Sequence, residues 1–257
     1  MEVERIWRGV ASPVWGVLAW QDILARYRRS TLGPFWITVT TSVFVVSVGA
    51  LYSGFFGGDT AAYMLYLGTG VIFWQFLASN FNEGATVLIS GREMLLNARI
   101  EPLTLVLRLV ARNALTLAHN IPVYLLLVVY AHPGGWTGLP YAIPALLALG
   151  ANALWMTVVI GLAGVRFRDV PPIVTSLTQL LFLLTPIIWK ADSIDGTRAM
   201  LLHLNPVAHI LAAVREPLIG HPVPLDSLAI SIALAVGGLA AATFLYSLAL
   251  RRIHYWL

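Results

Sequence analysis

Five long stretches of this chain contain no Asp, Glu, Lys or Arg: Ser30–Gly58, Thr60–Asn82, Asn113–Val165, Val170–Trp189 and Ser227–Leu250. A helix of roughly 20 apolar residues spans ~30 Å of hydrocarbon, and a soluble domain does not keep charge off its surface for so long. Four of the runs suit one crossing each. The third would extend about 80 Å as one helix, and it is interrupted at His132-Pro133-Gly134-Gly135-Trp136-Thr137-Gly138-Leu139-Pro140, a cluster of turn formers. Divided there, the chain has six predicted spans, approximately 35–56, 61–82, 108–131, 141–165, 171–189 and 227–250. The expected fold class is an all-α integral membrane protein, one domain over residues 1–257. The even count places both termini on one side.

Of the 16 basic residues, Lys190 is the only lysine, and their positions select the side. Cytoplasmic segments retain Lys and Arg during insertion. With the termini inside, the inner segments hold Arg5, Arg8, Arg26, Arg28, Arg29, Arg92, Arg99, Arg108, Arg112, Arg166, Arg168, Arg251 and Arg252, against Lys190, Arg198 and Arg215 outside. The net charge of +4 therefore follows from topology and from contact with anionic lipid headgroups. A nucleic-acid partner is not expected, because no basic stripe lies clear of the membrane. About 30 residues precede the first apolar run, which lacks the short h-region of a cleaved signal and is expected to stay in the mature chain.

Three segments do not cross. Residues 13–29 are too polar to span, yet Trp20, Ile23, Leu24 and Tyr27 share one side of a helical wheel while Asp22, Arg26 and Arg29 share the other. That pattern predicts an interfacial helix in the plane of the membrane; a basic flank that only fixes topology is the alternative. In the inner segment 83–101, Ser90-Gly91-Arg92-Glu93 has the S-x-x-E form of a capping box, so a short helix is expected to start at Ser90. The outer segment 190–226 centres on Asn205-Pro206, a good N-cap followed by a residue suited to the first helical position. It predicts helices over about 196–204 and 206–219. Two such half-apolar helices either fold back into the membrane surface or form a lid.

Several chemistries are excluded or disfavoured. The chain has no cysteine, so disulfides, thiolate metal sites and a cysteine nucleophile are out. No ionisable group lies within the five runs apart from histidine, which argues against ion-coupled transport. Glu83 and His119 are the nearest candidates, and His119 reads better as a packing histidine. No paired carboxylates suggest catalysis: Asp192 and Asp195 flank a loop, and His203, His209 and His221 are spaced six and twelve apart rather than along one helical face, so no metal site is expected. The lone Lys190 is not in a P-loop frame, so any ATP-driven work takes its energy from another polypeptide. In the second span Tyr63, Trp74 and Phe81 lie within about 20° of one another on a helical wheel, with Tyr66 and Phe73 beside them. The stripe is expected either to line a substrate path on which sugar faces stack or to pack against neighbouring helices.

The run Arg26-Tyr27-Arg28-Arg29-Ser30-Thr31-Leu32-Gly33-Pro34-Phe35-Trp36 closely resembles the start of the permease subunits of bacterial ABC-type polysaccharide exporters, which export O-antigen, capsule and teichoic-acid polymers. The resemblance recurs at Arg166-Phe167-Arg168-Asp169-Val170, at Thr185-Pro186-Ile187-Ile188, and from Asn205-Pro206-Val207-Ala208-His209 through Arg215-Glu216, in the same order and at similar spacing. It implies a non-enzymatic permease in the bacterial inner membrane, working as a homodimer above two copies of an ATP-binding subunit that carries the ATP and Mg, with a lipid-linked polysaccharide as substrate. Carried onto this sequence, residues 13–29 look like the family's interface helix, with Arg26, Tyr27, Arg28, Arg29, Gly33 and Trp36 at the pyrophosphate of the lipid carrier. Ser90, Arg92, Glu93 and Leu95 look like its coupling helix, with Arg168 and Asp169 beside the same partner. Asn205, Pro206, Arg215 and Glu216 look like part of its outer gate. Permeases of the same class for teichoic acid, a drug or a small lipid are the alternative, and a membrane-bound enzyme of glycan assembly is a more distant one.

Overall fold

A computed structural model describes residues 11, 13–28, 30–54, 59–98, 100–132, 138–190, 200 and 202–257. Within them the chain is helical and has no strand. The helices are α1 (Val14–Tyr27), α2 (Phe35–Tyr52), α3 (Thr60–Gly84), α4 (Val87–Ser90), α5 (Arg92–Leu96), α6 (Pro102–Ala118), α7 (Ile121–Ala131), α8 (Leu139–Arg166), α9 (Val170–Leu184), α10 (Pro206–Leu218), α11 (Leu225–Ala249) and α12 (Ile253–Trp256).

Five elements are long and apolar enough to cross a membrane: α2, α3, the 30-residue stretch Pro102–Ala131 formed by α6 and α7, α8 and α11. The helix bounds differ from the six expected spans at two places, both at proline. The fifth expected span, 171–189, is a helix only to Leu184, where Thr185 takes φ −98° and ψ 135°. A residue before proline is driven out of the helical region, and Pro186 has no N–H to continue the ladder. The 15 residues of α9 measure about 22 Å, short of a ~30 Å hydrocarbon core. The third expected span, 108–131, begins earlier, at Pro102, and breaks at His119-Asn120. There Pro122 has no N–H to give the Ala118 carbonyl, and the His119 carbonyl, which lies between the two helices, accepts from Thr38 Oγ1 at 2.6 Å. His119 itself bonds back to the Leu115 carbonyl at 2.7 Å, which is a packing role.

The central helix is α3, with 17 of its 25 residues buried, whereas α2 buries only Thr41, Val45 and Gly49, one narrow stripe at a spacing of four. The main core joins α3, α8, α10 and the 187 region around Leu67, Leu77, Leu149, Ile187, Ile210 and Leu211. Helices α8 and α11 are joined by a buried amide: Asn152 Nδ2 donates to the Ala148 and Ser231 carbonyls, both at 2.9 Å, and Asn152 Oδ1 accepts from Trp155 Nε1 at 2.8 Å. In hydrocarbon, where no water competes, such a bond holds two helices in register.

The two ends of the bundle differ in chemistry. At one end Arg108 grips Asp22 through two bonds, at 2.5 and 2.7 Å, tying α1 to α6. Arg112 pairs with Glu83, and Arg92 Nε donates to the Leu257 carbonyl at 2.7 Å. At the other end the Leu218 carbonyl accepts from Tyr124 at 2.8 Å, and Asn205 meets Thr185 at 3.0 Å.

Candidate functional site

Three groups of residues were singled out by the sequence, and the structure treats them differently. At the arginine-rich end, α1 lies along α6 with Ala19 and Ile23 buried, while Trp20 and Leu24 remain more than half exposed. The apolar side is thus divided, Ile23 serving the protein and Trp20 and Leu24 facing outward beside the exposed Arg26 and Arg28; Tyr27 is half-buried, and Arg29 lies outside the described residues. The chain then turns sharply at Gly33, whose φ of 55° a side chain would disfavour. The Gly33 N–H donates to Ser30 Oγ at 3.1 Å. Pro34 then starts α2, leaving Phe35 and Trp36 exposed at the foot of the first span.

The capping box expected at Ser90–Glu93 is not formed. Ser90 closes α4 instead of opening a helix, with its hydroxyl donating back to the Thr86 carbonyl at 3.0 Å. A break at Gly91 separates α4 from α5. The chain runs close to α6 here: a Cβ at Gly91 would lie 2.2 Å from Leu105 Cδ1, a contact that glycine avoids. Leu95, expected as a partner contact, turns inward and is 1% exposed in the core. Arg92 and Glu93 do face outward, joined by Ile89 and Leu96, which sequence reasoning missed. Arg168 and Asp169 sit exposed in the turn between α8 and α9.

At the opposite end a polar cluster holds the irregular segment 185–189 in place. Buried backbone without regular structure must find partners within the protein. Here Tyr63 donates to the Ile188 carbonyl at 2.8 Å, Tyr66 Oη lies 3.2 and 3.1 Å from the Pro186 and Trp189 carbonyls, and Arg215 Nη1 donates to the Pro186 carbonyl at 2.6 Å. Arg215 is 3% exposed. Its guanidinium lies 3.9 Å from the Tyr66 ring centroid and is neutralised by Glu216 Oε1 at 2.8 and 2.9 Å, while Glu216 Oε2 meets His221 Nδ1 at 2.8 Å. Asn205 caps α10 as expected, accepting from the Val207 and Ala208 N–H groups at 3.0 and 3.3 Å. The helix it starts is no surface lid, since Val207, Ile210, Leu211, Ala213 and Val214 are all core residues. The expected helix over 196–204 falls largely outside the described residues, as do Asp192 and Asp195. His209 is engaged on both nitrogens, by Ser227 Oγ and the His203 carbonyl, each at 2.9 Å.

Within one copy the aromatic stripe of α3 is packed. Tyr63, Tyr66, Phe73, Trp74 and Phe81 are all 7% exposed or less, and the two tyrosines spend their hydroxyls on segment 185–189. Trp74 borders an outward-facing groove, where its ring meets Phe182 at a centroid distance of 5.7 Å. That groove, about 540 Å³ between α2, α3 and α9, carries Gln75, Asn82, Thr175, Thr178 and Gln179 and no charged residue. Gln75 and Gln179 are exposed, and Asn82 Oδ1 is buried without a hydrogen-bond partner among the described residues. The sequence held a signal for it: Gln75, Ala78 and Asn82 recur at i, i+3 and i+7 and Thr175, Thr178 and Gln179 at i, i+3 and i+4, so each uncharged run bears one neutral polar stripe.

A family model described as ABC-2 type transporter matches residues 13–219. The chain is 23% identical over 210 residues to an O-antigen export system permease protein RfbA of Myxococcus xanthus, covering 80% of each chain. It is also 24% identical over 203 residues to an O-antigen export system permease protein RfbA of Klebsiella pneumoniae, covering 78% of each. These relatives are transport permeases, and the chain is similar to them along most of its length.

Proposed function

From the premise that this chain belongs to the ABC-2 type transporter family, we propose that it is the permease subunit of an ATP-driven exporter moving a lipid-linked polysaccharide, O-antigen or capsular in type, across the bacterial inner membrane. In this reading two copies form the pathway, and two ATP-binding subunits, which hold the ATP and Mg, dock on the arginine-rich cytoplasmic end. Closure of those subunits acts through segment 83–101, with Arg92, Glu93, Ile89 and Leu96 at the contact and Arg168 and Asp169 beside it, and separates or re-closes the two permease copies. Arg26 and Arg28 meet the pyrophosphate of the lipid carrier, and Asn205, Pro206, Arg215 and Glu216 belong to the outer gate.

The observation that carries this reading is the uncharged groove of Gln75, Asn82, Thr175, Thr178 and Gln179 beside Trp74 and Phe182. Thr175 and Thr178 satisfy their hydroxyls on carbonyls of α9, but exposed amides facing hydrocarbon are costly, so the position of Gln75 and Gln179 suits a face closed by a second copy around a hydrated path. Neutral donors and acceptors next to aromatic rings match the two faces of a sugar, polar at the hydroxyls and apolar at the C–H groups. The helices flanking the groove leave Val43, Phe44, Ile173, Leu177, Leu180 and Leu183 exposed in one copy, an apolar rim for such a partner.

The test is deletion of the gene followed by localisation of the glycan. Export predicts cytoplasmic accumulation of lipid-linked polymer, restored to the surface by the wild-type chain. Loss of the polymer everywhere in the cell would assign the chain to synthesis and overturn the proposal.

A further inference from the structure

Apart from the groove, α8 and α11 end together at the arginine-rich end and enclose a cleft of about 710 Å³. Its volume falls within the usual range for small-molecule sites, ~300–1,000 Å³. Small side chains create it: Ala163, Ser247 and Ala249 line a space between two long helices that larger residues would fill. The chain then reverses after α11 so that α12 returns Trp256 over Arg166, with the guanidinium carbon 5.0 Å from the indole and 5.1 Å from the ring of Phe167. Stacking on its faces fixes the guanidinium plane and leaves the N–H edge for an acceptor.

The lining divides by chemistry along its length. Arg166, Arg251 and Arg252 stand at one end, and no acidic side chain is among the described residues that line the cleft. Leu245 and Leu248 form the other end, 41% and 57% exposed, and continue into the uncharged 227–250 run. A soluble anion would use the arginines and leave the leucine wall without purpose. A docking protein would need a polar rim, which the leucines do not supply. Both halves are used by one class of ligand, a phosphate ester carrying an acyl chain.

We propose that this cleft is a binding site for an anionic phospholipid of the surrounding membrane, its phosphodiester held by Arg166, Arg251 and Arg252 and its first methylenes lying on Leu245 and Leu248. Guanidinium groups hold phosphate oxygens through paired N–H donors, and basic pockets between helix ends at a membrane surface select anionic over zwitterionic headgroups. Trp256 marks the depth of the site, because indole rings settle at the headgroup level. The site is independent of the exported cargo, and it would brace the junction between α8 and α11 to α12.

The full-length chain, purified in mild detergent, is titrated with phosphatidylglycerol or phosphatidylcholine and analysed by native mass spectrometry. The wild type is expected to retain phosphatidylglycerol about tenfold over phosphatidylcholine, and the triple variant Arg166→Gln, Arg251→Gln, Arg252→Gln to lose that preference. Ser247→Phe, which fills the cleft and keeps all three arginines, is expected to reduce retention to the same level. It carries the test alone if the triple variant is not monodisperse. Equal retention of the two lipids by the wild type would overturn the site, as would undiminished phosphatidylglycerol on Ser247→Phe, which would mean a diffuse surface charge. Displacement of the lipid by inorganic phosphate alone would make it a soluble-anion site. Unchanged lipid on the triple variant, together with lost capture of the ATP-binding subunit, would make it a protein-docking surface; either result also overturns the proposal.

Discussion

Two sets of polar side chains lie along α3 and its neighbours, and they are treated in opposite ways. Around segment 185–189, Tyr63, Tyr66 and Arg215 turn inward and bond to backbone carbonyls, and Asn205 bonds to Thr185 Oγ1. In the groove between α2, α3 and α9, Gln75 and Gln179 face outward, and Asn82 Oδ1 has no hydrogen-bond partner among the described residues. The first arrangement holds a broken helix where irregular backbone would otherwise be intolerable. In the second, Thr175 and Thr178 return their hydroxyls to carbonyls of α9, but the exposed amides of Gln75 and Gln179 hold no broken segment together, and an exposed amide in an uncharged helix is better explained by what the copy meets outside itself. If that division is right, substitutions in the inward set should lower stability, and substitutions in the outward set should lower transport without lowering stability.

The largest effect is expected at Arg215. Arg215→Ala leaves the Pro186 carbonyl and the Glu216 carboxylate without their cation in a nearly closed environment. Removing one member of a buried ion pair costs about 3–5 kcal/mol, so the variant should lose most of its folded yield and melt well below the wild type in detergent. A melting temperature within a degree or two of wild type would show that segment 185–189 does not depend on the cluster. A smaller effect is expected at Asn205, whose side chain caps α10 and reaches Thr185 Oγ1 at 3.0 Å. Asn205→Ala should cost about 1–2 kcal/mol, as cap removals do. Asn205→Ser, which still accepts from the Val207 N–H but does not reach Thr185, should fall between them in thermal melts. Equal melting of the serine and alanine variants would place all the stabilisation in the contact to Thr185.

The sequence was informative where one signal acted alone. Absence of charge located the apolar helices, and Asn205-Pro206 located the start of α10, because each depends on short-range chemistry. It was misleading where two signals competed. Thr185-Pro186 lies inside an uncharged run, where hydropathy alone extends the helix to 189 and proline ends it at Leu184. Ser90 and Glu93 had capping-box spacing, yet the approach of Leu105 to Gly91 is a tertiary contact that no local pattern encodes. The aromatic stripe of α3 shows the limit most plainly: its periodicity was read correctly, but a wheel reports which residues share a face and is silent on what that face meets. Burial of Tyr63 and Tyr66 against 185–189 depends on the break at Thr185-Pro186. The groove's own signal, neutral amides at helical spacing, was present and was overshadowed by larger side chains nearby.

The smallest effect on stability and the most telling one on function is expected from the paired substitution Gln75→Leu and Gln179→Leu. Both residues are exposed in one copy, Gln75 making only a long 3.4 Å contact with Thr41 Oγ1. Exposed substitutions of this kind change stability by no more than about 0.5 kcal/mol, and leucine is at home in hydrocarbon, so yield and melting should match or slightly exceed the wild type. If the groove faces lipid, nothing else should change. If it faces the polymer, each glutamine removes a donor and an acceptor from a surface that must hold a sugar chain without gripping it. Losing two such contacts at about 0.5–1.5 kcal/mol each should slow export by about tenfold or more. Pulse-labelling the polymer and following its arrival at the cell surface distinguishes the two. Wild-type export by the doubly substituted chain at normal protein level would end the substrate-path reading of the groove. A tenfold loss with an unchanged melting temperature would separate the two polar sets by function, as their geometry already separates them by contact.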